Sequence, residues 1–447
     1  MRPRSFTLNT LEIVIPVALA AVLAVGAFLF LNPVFGQTRS NDPGVISIYA
    51  SVPSPDFDSI VHGAQMAIDE ANAQAGDFHI EFVPLSDAKL QDNGSYKWDP
   101  DVELANARRA VDDPDAMVYI GTYNSGAAKI SIPVLNRVSM AMISPGNTYP
   151  GLTKPGTGTA GEPYVYYPLG VRNYFRVVPA DDLQGRAAAA YAKEIGAKSV
   201  FVLDDTELYG KGIAAIFAAE SKNLGLTVAG GPESIDTHAS DYSRLADRII
   251  QSGADLVYFG GITANQPAKV LADLRRAGYD GAFMGADGIA DDTFISSITN
   301  SVSDKNNIYS TLVGLPAAQL TGDGAQWYAK YKAQYPADNN EDFASFGYEA
   351  AKVALSAIER ANKKDREAIR QAVAQTSTDL IPGSHILGDW SFDTNGDTSL
   401  VTISVESLGQ NPQTGQFAWL YKGIMKYDPN TKQWTFVPQI INRTETP

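Results

Sequence analysis

From Val45 onward, short apolar runs alternate with stretches in which apolar residues recur every three or four positions. Val45–Val52 (VISIYASV) predicts a strand, and Asp58–Ala73, with Ile60, Ala64, Ala67 and Ile68 at helical spacing, predicts a helix. Phe78–Leu85 reads as a strand and Val102–Val111 as a short helix. Met117–Gly121 and Met140–Ser144 are two further apolar strands with a helix pattern between them. After an irregular stretch the alternation resumes, with strands at Ser199–Leu203, Leu226–Ala229, Leu256–Gly260, Ala282–Gly285 and Ile308–Val313. Helix patterns over Asp182–Ile195, Gly212–Leu224, Asp241–Ser252 and Ala264–Ala277 separate them. Continuous apolar strands alternating with helices predict parallel sheets covered on both faces. The two series make two α/β units, each the size of a domain. Helices follow at Gln326–Tyr335, Phe343–Ala361 and Asp365–Ala374, and the aromatic, turn-rich stretch Trp390–Val437 predicts hairpins added to one unit.

The N-terminus has a different pattern. Arg2 and Arg4 precede an uncharged apolar run, Ile13–Leu31. Its nineteen residues would span roughly 28 Å as a helix, close to the ~30 Å hydrocarbon thickness. Residues 1–36 are therefore expected to be an uncleaved signal anchor, residues 37–44 a linker, and the rest of the chain extracytoplasmic. The alternative is a signal peptide cleaved near Val34, Phe35 and Gly36.

Composition narrows the function. Apolar residues at 45% and charged residues at 19% describe an ordinary globular chain, and the net charge of −15 argues against nucleic acid or anionic lipid as a partner of the folded part. With no cysteine there is no disulfide, thiolate metal site or cysteine nucleophile. His62, His79, His238 and His385 have no metal spacing, and neither a GxSxG elbow nor a Walker loop occurs. Gly156, Gly158 and Gly161 match GxGxxG, but they lie between Lys154-Pro155 and Glu162-Pro163 rather than between a strand and a helix. Asp393, Asn395 and Asp397 are read as a hairpin turn, and Asp204–Asp205 as helix-capping carboxylates. No cofactor is expected, and an enzyme is disfavoured because no nucleophile–base set is present.

Three strand ends carry small or hydroxyl residues just before a helix. In Gly121-Thr122-Tyr123-Asn124-Ser125-Gly126, Ser125 sits where free helix N–H groups suit a carboxylate. In Ser144-Pro145-Gly146-Asn147-Thr148, the Gly146 carbonyl and Thr148 hydroxyl suit an ammonium, and the Thr148 N–H a carboxylate. In Met284-Gly285-Ala286-Asp287, the Asp287 carboxylate can pair with an ammonium. Ligands of open α/β sheets lie outside such carboxyl ends, although plain helix capping by Ser125 and Asp287 is the competing reading.

Ile120–Thr153 (IGTYNSGAAKISIPVLNRVSMAMISPGNTYPGLT), Asn173–Gly185 (NYFRVVPADDLQG), Asp205–Gly212 (DTELYGKG), Val257–Gly261 (VYFGG) and Phe283–Gly288 (FMGADG) resemble the leucine/isoleucine/valine-binding protein family of amino-acid importers, in that order. The resemblance covers about Val45 to Asp397. It implies a type I periplasmic binding protein: two doubly wound α/β lobes joined by a three-segment hinge, with an amino acid clamped between them and delivered to a permease driven by ATPase subunits. The implied first lobe is 45–178 with a return over 308–380, and the second is 179–307 with a return over 381–447 that carries the hairpin tail. Ser125, Gly146 and Thr148 match first-lobe ligand positions, Asp287 the acidic residue facing the amino group, and Tyr209 an aromatic wall of the second lobe. Tyr123, Asn124, Asn147 and Ile262 complete the expected lining. The family usually has glutamate where Asp287 stands and often an aromatic where Ile262 stands, so the ligand, branched-chain or similar, is left open to an amide, urea or small organic acid. An anchored sensor domain is the other alternative.

Overall fold

The computed structural model describes residues 42–92, 95–338, 340–383 and 385–439. The expected anchor, residues 1–36, and residues 37–41 of the linker lie outside the described residues; among those described, no helix is long and apolar enough to cross a membrane.

The first sheet is built from β1 (Val45–Val52), β2 (Gln74–Ala75) and β3 (Phe78–Ser86), then β6 (Ala116–Gly121), β7 (Ala141–Ser144) and β8 (Tyr174–Arg176), in the spatial order β2-β3-β1-β6-β7-β8. Apart from the short antiparallel β2–β3 pair, all neighbours are parallel. Every residue of β6 and β7 is buried, as a strand covered on both faces requires. Between β3 and β6, Ala88–Leu90 (β4) and Tyr96–Trp98 (β5) pair as a small antiparallel ribbon outside the sheet. The covering helices are α1 (Asp58–Glu70), α2 (Pro100–Asp112) and α3 (Ser125–Asn136). α2 starts where it does because the Asp99 carboxylate accepts from the Asp101 and Val102 N–H groups and Pro100 takes the first helical position.

After β8 the chain crosses to a second sheet. The elements are α4 (Asp181–Glu194), β9 (Ser199–Asp204), α5 (Leu208–Asn223), β10 (Thr227–Ser234), α6 (Ser243–Ser252), β11 (Leu256–Gly260), α7 (Pro267–Arg276), β12 (Ala282–Gly285), α8 (Asp292–Thr299) and β13 (Ile308–Val313). The sheet order is β10-β9-β11-β12-β13 followed by three antiparallel strands from the end of the chain, β14 (Ile403–Gln410), β15 (Phe417–Asp428) and β16 (Gln433–Pro438). Those three are the hairpin tail.

The lobe boundaries differ from the expected ones at two places. Ile308–Val313 belongs to the second sheet, not to the return into the first lobe. It pairs in parallel with β12 and gives β14 its antiparallel partner, Val313 opposite Ile403. The chain leaves the sheet just after it, at Gly314, whose φ of 77° turns it out. Helices α9 (Asp323–Gln334), α10 (Ala344–Ala361) and α11 (Arg366–Ala374) follow, with α10 against α1 and α11 against β6 and β7. At the α1–α10 crossing a Cβ on Gly63 would lie 2.0 Å from the Ala344 carbonyl oxygen, and one on Gly347 would lie 2.2 Å from that of Ile60. Only glycine permits backbones to approach so closely.

The second difference concerns residues 381–398, which stay with the first lobe. Trp390 donates its indole N–H to Glu349 of α10 (2.8 Å), Phe392 packs on Phe175, and Asp397 bridges to Arg176 of β8. The chain recrosses only between Asp397 and Ile403. Three segments therefore join the lobes, near 176–181, 313–317 and 397–403.

Candidate binding site between the lobes

The carboxyl ends of β6 and β7 meet those of β11 and β12 across the cleft. Tyr123, Asn124, Ser125, Gly146 and Thr148 from the first lobe and Tyr209, Ile262 and Asp287 from the second line one cavity of about 10 Å³. That is about the room of one water molecule. Residues 125, 148 and 287, far apart along the chain, thus face one another.

On the first-lobe side, Ser125 is the first residue of α3, and Asn124 before it is extended without a side-chain capping bond. The Ala127 and Ala128 N–H groups bond back to the Asn124 carbonyl (3.0 and 3.1 Å), which leaves those of Ser125 and Gly126 to face the cleft, and Ser125 Oγ accepts from the Tyr149 N–H (3.3 Å). Capping is therefore not what Ser125 does. The 145–148 loop is held from below: Ser144 Oγ accepts from the Gly146 and Asn147 N–H groups (3.2 and 2.8 Å). A Cβ on Gly146 would come within 2.8 Å of the Tyr123 ring, so glycine is needed to bring the two strand ends together.

Asn147 is the one expected lining residue that the cavity excludes. Its side-chain amide donates to Thr122 Oγ1 (3.1 Å) and the Tyr123 carbonyl (2.9 Å), and its oxygen accepts from the Tyr174 hydroxyl (3.2 Å). Fully buried and fully engaged, it braces the loop that carries Gly146 and Thr148.

On the second-lobe side, Asp287 follows β12 and accepts from the Tyr209 hydroxyl (2.9 Å), which itself accepts from the Gly288 N–H (3.2 Å). Burial pushes the Asp287 carboxyl up to about 6, against the opposing effect of Gln184 and Tyr209. Ile262 is fixed by its N–H donating to Asp205 (3.0 Å), which also accepts from the Asn265 amide (2.8 Å) and the Glu207 N–H (3.1 Å). Asp204 accepts from Thr206 N–H and Ser234 Oγ. Both members of the Asp204–Asp205 pair are thus spent on their turn.

Sequence reasoning missed Asp181. It opens α4 immediately after the first crossing, and its N–H donates to the Thr148 carbonyl (2.8 Å). It is fully buried, with the Thr148 side chain as the nearby donor that partly offsets its burial. Burial first, and then the nearby Asp287, push its carboxyl well above the ordinary range. The only signal was its place in NYFRVVPADDLQG, a segment read as a crossing and not as a site.

A buried ion pair fixes the hinge beneath. Arg176, with no exposed surface, donates through Nε to Asp397 (2.6 Å) and through one terminal nitrogen to the carbonyls of Asn147 and Tyr149 (3.1 Å each), and it also reaches Thr153. Burial alone would raise the Asp397 carboxyl; Arg176 and Lys154 outweigh it and hold the group below its usual range. One guanidinium thereby ties the first and third crossings to the loop that carries Gly146 and Thr148. The 393–397 turn is a hairpin turn, with Asp393 accepting from the Asn395 and Asp397 N–H groups.

A family model described as periplasmic binding protein matches residues 44–403. The chain belongs to the periplasmic binding protein family. Within that family it is similar to a Leu/Ile/Val-binding protein homolog of Brucella suis, 26% identical over 86% of this chain and 92% of the relative. Among solved structures, a leucine binding protein of Thermotoga maritima superposes with a TM-score of 0.69 at 22% identity, covering 86% of this chain and 99% of the other. A solute binding protein of an ABC transporter from R. palustris, in complex with 4-hydroxybenzoate, reaches 0.68 at 17% identity, covering 86% and 98%. A member of this family is an extracytoplasmic binding protein and not an enzyme. The two-lobed α/β architecture is the one its structural neighbours share.

Proposed function

We propose that the chain binds a free α-amino acid in the cavity between its lobes and hands it to an ABC permease. The ligand's carboxylate is held by the first-turn N–H groups of α3, Ser125 Oγ and the Thr148 N–H. Its ammonium is held by the Gly146 carbonyl, the Thr148 hydroxyl and Asp287, with Asp181 behind. Tyr123, Asn124, Tyr209 and Ile262 wall the site, and the lobe boundaries near 176–181, 313–317 and 397–403 serve as the hinge. Contacts made from both lobes exist only when the lobes are closed, so ligand shifts the hinge equilibrium by its differential affinity. Micromolar affinity corresponds to roughly 8 kcal/mol, which a few charge-assisted hydrogen bonds at ~1.5–3 kcal/mol each can supply together with side-chain burial.

The carrying observation is the asymmetry of charge: hydroxyl and N–H groups on one side, a carboxylate on the other, and no lysine or arginine in the lining. A relative named for leucine, isoleucine and valine supports an amino acid. The neighbour that holds 4-hydroxybenzoate raises the case of a plain organic acid. Such a ligand has no ammonium to set against the Asp287 carboxylate. A thermal-shift screen of the purified full chain against amino acids, amides and organic acids tests the reading. Amino acids should raise Tm the most; a larger shift from acids lacking an amino group would sink it. We keep Ile13–Leu31 as an uncleaved membrane anchor in this proposal, and the intact mass of the mature protein checks it: loss of the first 30 to 40 residues would refute the anchor.

A further inference from the structure

We infer that the amino acid taken by this site carries an aromatic side chain, received in a second chamber that opens off the head-group cavity and is walled by strand β5. The inference rests on the reading that the inner cavity holds an α-amino acid head. At about 10 Å³, the room of about one water molecule, that cavity has no space for a side chain, and the head itself fits only when the two lobes stand farther apart than they do here. Beside it lies a chamber of about 400 Å³ that shares Tyr123, Asn124 and Ile262 as walls, so a side chain leaving the head group has an adjoining space to enter.

The chamber's first-lobe side is rich in aromatic rings. Phe57 stacks on Tyr123 with ring centroids 3.6 Å apart and an interplanar angle of 23°. Tyr96 and Trp98 of β5 add two more rings to the wall. Trp98 is placed against the head-group site itself: a Cβ on Gly126, the residue after Ser125, would lie 2.7 Å from Trp98 Cζ2. Flat rings in offset or edge contact gain beyond their buried area, so these walls reward an aromatic group over a branched aliphatic one.

The charged groups around the chamber are mostly committed to one another. Lys97 reaches from β5 to the second lobe, donating to Asn265 (3.0 Å) and pairing with Glu207 (3.3 Å). Lys269 and Arg276 both pair with Asp273. Asp291 accepts from the Phe294 N–H and the Thr263 hydroxyl. Asp56, whose carboxyl is pushed up by burial and by Asp58, is the wall's remaining charge, which makes a basic side chain the rival occupant.

Calorimetric titration of the purified full chain with phenylalanine, tyrosine, tryptophan, leucine, isoleucine, valine, lysine and arginine decides among these. The tightest ligand should be aromatic, at least about tenfold tighter than leucine. Trp98→Ala should weaken that ligand about tenfold and valine less than about threefold. Tightest binding of an aliphatic or basic amino acid would overturn the aromatic assignment and leave the head-group reading standing. Binding of none of the eight, nor of the remaining common amino acids, would take both down. Equal weakening of all ligands in Trp98→Ala would overturn the placing of the side chain against β5. The wild-type ranking requires no variant to fold.

Discussion

The two faces of the cleft are built on opposite principles. The first-lobe face is braced. Asn147, Ser144 and the buried Arg176 hold the loop with Gly146 and Thr148, and the helix that begins at Ser125 offers its N–H groups without adjustment. The second-lobe face carries buried acidic groups: Asp287 has the Tyr209 hydroxyl and Gln184 beside it and is still raised to about 6 by burial, with the fully buried Asp181 nearby. A preorganised neutral face and a buried acidic face are what the proposed clamp on an ammonium-bearing ligand requires. The rigid lobe sets where the ligand sits, and the charged lobe sets whether closing on it is favourable.

The comparison breaks most severely at the brace. Arg176→Met leaves the buried Asp397 with only Thr153 and Lys154 beside it and frees the Asn147 and Tyr149 carbonyls, and should destabilise the protein by about 3–5 kcal/mol in urea unfolding. Wild-type stability in that variant would mean that the hinge ion pair does not hold the first-lobe face. Next comes the charged side. Asp287→Ala should reduce affinity for the bound amino acid by tenfold or more, about 1.5–3 kcal/mol, with little change in the unfolding midpoint.

pH sharpens the contrast because the two ligand classes give opposite signs. Binding an ammonium needs Asp287 ionised. Its carboxyl in the ligand-free protein is raised to about 6, so affinity should be flat above that pH and fall toward about tenfold per unit below it, with a proton released on binding. An organic acid would instead bind more tightly as pH falls and the carboxylate facing it is neutralised. Titrations at pH 5 and pH 7.5 separate the two. Smaller effects follow from the supports. Tyr209→Phe removes one hydrogen bond from Asp287 and should cost about 0.5–1.5 kcal/mol of binding. Lys97→Met removes a partly exposed contact between the lobes and should change affinity by no more than about 1 kcal/mol.

The strand ends of this site were legible because buried parallel strands are continuous apolar runs, and Ile120-Gly121 or Met284-Gly285 stop abruptly at small residues. The resemblance then tied Ser125, Thr148 and Asp287 to one cleft. What stayed hidden depends on tertiary partners. Ile308–Val313 is an apolar strand in either sheet, and only its pairing with β12 and β14 assigns it. Asn147 looks as polar as Asn124 in the sequence; the Thr122 and Tyr123 groups that consume its amide come from another strand end. Asp181 resembles any acidic residue at a helix start until its burial beside Asp287 is seen. The β4–β5 ribbon has three-residue strands, too short for any periodicity to register.

The central claim is that Ser125 and Thr148 on one lobe and Asp287 on the other grip a single zwitterion. Calorimetric comparison of the tightest-binding amino acid with the same molecule lacking its amino group tests it most directly. The account predicts that the deaminated acid binds at least about a hundredfold more weakly, and that the gap shrinks in Asp287→Ala. Equal affinity of the two compounds for the wild-type protein would contradict it.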